Sequence, residues 1–60
     1  MIVKQCFYDF TLGNDDMGEV LADIRDRVKK EFRNYTPVIH QVIHVEDDYY
    51  TAIVNIMDYD

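Results

Sequence analysis

A second cysteine is missing, tryptophan is absent, and 60 residues hold one proline and two glycines. With Cys6 alone, no internal disulfide can form and no Cys-based zinc site finds a second thiolate. With Pro37 and the glycines as the only strong punctuation, nothing reads as a linker, repeat or low-complexity tract. Positive charge is scarce too: six Lys and Arg stand against twelve Asp and Glu, a net charge of −6. That balance excludes a general nucleic-acid backbone binder and a protein of anionic membrane surfaces.

Long apolar runs are also lacking. No stretch approaches the ~18 residues of a membrane-spanning helix. The opening MIVKQCFYDF carries one lysine and is broken by Gln5 and Asp9, unlike a secretory signal. The chain is therefore expected to be soluble and cytoplasmic, and a missing cysteine framework fits a reducing compartment. Its length allows one small domain, residues 1–60. Such a chain buries only about 60% of the surface exposed when unfolded. Disulfides, a structural metal or self-association are the usual remedies, and self-association is the one this composition favours.

What is present reads as β-α-β-β. Ile2 to Phe10 is aromatic and β-branched, a strand signal. Thr11-Leu12-Gly13-Asn14-Asp15 reads as a loop, and Asp16-x-x-Glu19 has the form of a capping box, with Asn14 or Asp15 as alternative caps. Met17, Val20, Leu21, Ile24, Val28, Phe32 and Tyr35 then recur at helical spacing, predicting about five amphipathic turns. Pro37 ends that pattern and biases Thr36 towards extended backbone.

VIHQVIHVEDDYY, residues 38–50, poses the main choice. On a helix, His40 and His44 would share a face and could hold a metal. Val38, Ile39, Val42, Ile43 and Val45 are all β-branched, however, and favour a strand. Along a strand, residues four apart are separated by roughly 13 Å. Metal–nitrogen bonds are about 2 Å long, so one ion cannot take both rings.

A hairpin turning at Asp47-Asp48 sorts the side chains. One face collects Val45 with Tyr50, Ile43 with Ala52, Gln41 with Val54, and Ile39 with Ile56. The other collects Glu46 with Tyr49, His44 with Thr51, Val42 with Ile53, His40 with Asn55, and Val38 with Met57. A slip of one residue would scramble this sorting. The last strand, YYTAIVNIM, is apolar on both faces and belongs in the centre. A right-handed crossover makes the first two strands parallel. The expected fold is α+β: a three-stranded antiparallel sheet of order 1-3-2 with one helix on one face.

Two candidate surfaces follow. The face away from the helix leaves Val38, Val42, Ile53, Met57 and Tyr49 uncovered, a patch suited to self-association. The same topology gathers Asp15, Asp16, Glu46, Asp47 and Asp48 at one pole, where a basic partner could be steered. Acidic side chains also favour helix starts and turns simply because water solvates them there.

Catalytic and ligand signals are weaker. The acidic spacing matches no calcium loop. Cys6 lacks an adjacent base and an electropositive setting, and reads as a packed small hydrophobe. No phosphate loop, nucleophile elbow or zinc spacing occurs. The β-α-β-β order resembles dodecins and small tautomerases in topology only. Dodecins stack flavin on a tryptophan and the tautomerases act through an N-terminal proline, whereas this chain has no tryptophan and Ile2 follows Met1.

The reading favoured is a non-enzymatic acidic homo-oligomer that binds and modulates or inhibits another protein, without cofactor. Short, acidic, motif-free inhibitors are often encoded by phages or mobile elements. The alternative is an oligomer sequestering a nucleotide- or flavin-like ligand between subunits, lined by His40, His44 and Tyr49. A third is mimicry of DNA by the carboxylates.

Overall fold

A computed structural model describes residues 1–59; Asp60, within the expected domain, lies outside the described residues. β1 spans Ile2–Thr11, α1 Met17–Glu31, β2 Thr36–Glu46 and β3 Tyr49–Met57. The strands form one sheet of order β1-β3-β2, with β3 antiparallel to both neighbours. The expected α+β topology is the one observed.

The core follows from the central strand. Ala52, Val54 and Ile56 on one face of β3 are fully buried, and Ile24 and Val28 of α1 close over them. Cys6, Tyr8, Phe10, Val20, Leu21, Phe32, Tyr35 and Ile39 pack around this centre while staying half-buried. Burying a Val or Ile stabilises by about 1.5–3 kcal/mol. Among the described residues these five buried side chains, with buried Pro37 opposite Ile56, make a small core, as the chain length requires.

The helix begins where the sequence places it but is held differently. Asp16 is the N-cap, with extended backbone (φ −75°, ψ 137°), and its side chain makes no capping hydrogen bond. Its carbonyl accepts from Val20 N–H at 3.1 Å, so the capping box contributes position and charge but no side-chain bond. The C-terminus comes earlier than the apolar periodicity suggests. Phe32 leaves helical backbone (φ −116°, ψ 67°), and Lys29 Nζ donates to the carbonyls of Arg33 at 3.2 Å and Tyr35 at 2.7 Å. A lysine satisfying carbonyls beyond the last turn ends a helix favourably. Phe32 and Tyr35 thus reach the core from the connection rather than from α1.

The hairpin turns at Asp47-Asp48, with Glu46 opposite Tyr49, as expected. Asp47 takes a left-handed conformation (φ 46°), which Asp tolerates better than most residues. Beyond the turn the register departs from the simple ladder. It shifts between His44 and Glu46, and again between Ile39 and Gln41, leaving Val45 and His40 as the extra residues. Val42 therefore pairs with Ala52, His44 with Tyr50, Ile39 with Val54, and Pro37 with Ile56.

These two bulges reverse the faces of the segment between them. Val42 and His44 share the helix side with Ala52 and Tyr50, while Gln41 and Ile43 turn to the open side. The unbulged ladder would place Gln41 beside Val54 under the helix. An unpaired buried amide costs roughly 1–3 kcal/mol. Turning Gln41 out avoids that cost, and one-residue bulges are the means by which a strand changes face.

Candidate interaction face of the sheet

The side of the sheet away from α1 is built from all three strands. β3 contributes Tyr49, Thr51, Ile53, Asn55 and Met57. Opposite them stand Thr11, Asp9, Phe7, Gln5 and Ile2 of β1, and Glu46, Ile43, Gln41, Val38 and Thr36 of β2. Phe7 is 62% exposed, Ile2 51% and Ile43 42%, with Val38 and Tyr49 each at 37%. Ile53 and Met57 lie half-buried between them. Large apolar side chains contributed by three adjacent strands make a patch, not scattered exposure.

Two pairs of polar side chains within this face are hydrogen-bonded. Gln5 Nε2 donates to Asn55 Oδ1 at 2.8 Å, which accounts for an asparagine only 6% exposed on the central strand. Thr51 Oγ1 donates to Asp9 Oδ1 at 2.7 Å. The Asp9 carboxylate also lies beside Tyr49, and its negative charge holds the Tyr49 hydroxyl above the ordinary tyrosine value of 10.0. Towards the hairpin tip the apolar patch therefore gives way to a hydrogen-bonded rim.

Of the residues expected on this face, Val38, Ile53, Met57 and Tyr49 are there. Val42 is not: the bulges bring it to the helix side. Ile43 takes its place, and Phe7, Gln5 and Ile2 join from β1. Phe7 was legible in principle, because Cys6, Tyr8 and Phe10 alternate with it and pack on the core.

The acidic residues do converge at one end. Leu12 N–H donates to the Asp48 carbonyl at 2.8 Å, tying the loop after β1 to the hairpin tip, and Asp15 N–H closes on Leu12 O at 3.0 Å. Gly13 (φ 57°) sits inside that turn, where its left-handed backbone suits glycine. Asp15 and Asp16 thus share an end of the molecule with Glu46, Asp47 and Asp48, all exposed.

The histidines do not converge. His44 stacks on Tyr50 at 4.8 Å between centroids, and Tyr50 stacks in turn on Phe10 at 5.6 Å. His44 Nε2 lies 2.6 Å from the Asp47 carbonyl oxygen and donates to it in the Nε2–H tautomer. His40 occupies a bulge, and Tyr49 lies on the opposite face from His44. The three residues of the small-molecule alternative thus line no common surface within one chain. Among the described residues no three His, Cys, Asp or Glu side chains are grouped as metal ligands.

Cys6 lies on the helix side of β1, half-buried, two residues from Tyr8. Burial, followed by the neighbouring thiol and the Glu31 carboxylate, pushes the Tyr8 hydroxyl above its ordinary value. Among the described residues no helix is long and apolar enough to cross a membrane. The architecture is that of a small α+β domain with a half-roofed sheet. No protein-family model matches the chain, and neither the curated proteins nor the solved structures contain a match to it.

Proposed function

We propose that the chain is a non-enzymatic protein-binding module, a small acidic homo-oligomer that acts by modulating or inhibiting a partner protein in the cytoplasm. The observation that carries this reading is the uncovered sheet face, with Phe7 62% exposed opposite Ile53, and Val38 exposed on the far strand. Exposed aromatic and aliphatic anchors, with the polar groups among them hydrogen-bonded as Gln5 and Asn55 are, suit a protein interface. The acidic end, Asp15, Asp16, Glu46, Asp47 and Asp48, supports a second surface that steers a basic partner.

The test is direct. The wild-type chain should self-associate at or below about 1 mM by native mass spectrometry and light scattering. Phe7→Ser, at an exposed position, should shift it towards monomer without unfolding it. A pull-down from the native host, read by mass spectrometry, should recover a partner. Asp47→Lys with Asp48→Lys should then slow its association and flatten the salt dependence. A chain that stays monomeric at that concentration removes the self-associating part of the reading.

A further inference from the structure

Leu12 N–H points at β3, since it donates to the Asp48 carbonyl at 2.8 Å. Backbone groups alternate in direction along an antiparallel strand. Phe10, Tyr8, Cys6 and Lys4 therefore turn theirs towards β3, and Gln5, Phe7, Asp9 and Thr11 turn theirs outwards. From Lys4–Ile56 to Thr11–Tyr49 the register has no shift and no proline. The outer edge of β1 is thus a regular row of N–H and C=O groups without strand partners, the template on which another strand is added.

The other edge of the sheet is unlike it. β3 spends the backbone groups of Ile56 on β1, so Pro37, opposite Ile56 on β2, occupies an outward-facing position and has no N–H to offer. The bulges at His40 and Val45 interrupt the same edge twice. α1 also leans to the β2 side of the sheet, and Cys6, Tyr8 and Phe10 on the helix side of β1 stay only half-buried. Around β1, apolar side chains are incompletely covered on both faces.

We propose that the outer edge of β1 pairs antiparallel with β1 of a second copy, about a two-fold axis through Phe7, joining two three-stranded sheets into one of six. The proposal rests on the self-associating reading above and specifies its geometry. In this register Phe7 meets Phe7 on the open face, and Gln5 meets Asp9. On the helix side Cys6 meets Tyr8, and Lys4 meets Phe10. Aromatic cross-strand pairs stabilise such ladders, and no like charges stand directly opposite. Sliding one way sets Phe7, and then Asp9, against the other copy's Asp9 carboxylate. Sliding the other way engages the shifted backbone at Val3.

The experiment is amide hydrogen exchange by NMR on the full chain, across a concentration series in which oligomeric state is followed by light scattering. Association should slow exchange of the Phe7 and Asp9 amides at least about tenfold. In a mixture of isotope-labelled and unlabelled chains, an intermolecular Hα–Hα contact between Cys6 and Tyr8 should appear, since facing residues in non-hydrogen-bonded pairs are the closest. Phe7→Pro, which removes an outward N–H and no bond to β3, should weaken association more than about tenfold beyond Phe7→Ser, which removes the same ring but keeps the N–H. An oligomer whose Phe7 and Asp9 amides exchange freely overturns the edge pairing while leaving association through the sheet face. A monomer at about 1 mM overturns both.

Discussion

Gln5 and Asn55 face one another across the β1–β3 ladder, joined by a 2.8 Å bond from Nε2 to Oδ1. The bond is what allows an amide to sit buried in the middle of a largely apolar face. Gln5→Met should therefore cost about 1 kcal/mol, the usual penalty for stranding a polar group. Gln5→Met combined with Asn55→Leu should recover most of that loss. Urea unfolding of the two variants measures it, and a double variant less stable than the single one would contradict this account.

The bulged register makes a sharper forecast. Val42 faces the core and its neighbour Ile43 faces outwards. Val42→Lys should destabilise the fold by about 1 kcal/mol, because a half-buried apolar side chain on the helix side is replaced by one whose charge must reach water. Ile43→Lys should change stability by no more than about 0.5 kcal/mol. Thermal melts of the pair would falsify the register if the two effects were reversed.

Lys29 spans the end of α1 with two bonds to carbonyls beyond it. Lys29→Met keeps most of the aliphatic stem and removes the donor. It should lower stability by about 1 kcal/mol and fray the last turn. Lys30→Met, on an exposed neighbour with no such bonds, is the control; helix signals in circular dichroism and urea midpoints distinguish them.

Tyr49 provides a prediction in alkali. Its hydroxyl titrates above the ordinary value because the Asp9 carboxylate opposes a second negative charge. An acid whose folded pKa is raised stabilises the fold fully below its unfolded value and loses that contribution as pH rises through the folded one. Stability should hold up to about pH 10, the unfolded tyrosine value, and fall above it. Asp9→Asn should bring the Tyr49 titration, followed by phenolate absorbance, back towards the ordinary value.

Much of this arrangement could be read from the residues themselves. The β-branched run after Pro37, the Asp47-Asp48 turn and the two-sided apolarity of Tyr49–Met57 fix the element order and place β3 in the centre. The acidic end follows from that topology alone. What could not be read was the pair of bulges. A period-two ladder treats His40 and Val45 as ordinary strand residues, and nothing local marks either as extra. The clue lay in Gln41, the one polar residue on the supposed core face, whose burial the bulges avoid. The helix stops short of the apolar periodicity for a related reason. Phe32 and Tyr35 keep helical spacing because both reach the core, although Lys29 satisfies the carbonyls beyond an earlier stop.

Pro37 has a consequence for growth. A sheet with two equally receptive rims would recruit chain after chain into a filament. Here one rim is blunted by an imino acid and two kinks in the backbone, so the proposed join at the opposite rim would use the one regular sheet edge among the described residues of each copy. On that proposal edge-to-edge accretion would halt at two, keeping a short chain from becoming a fibre seed.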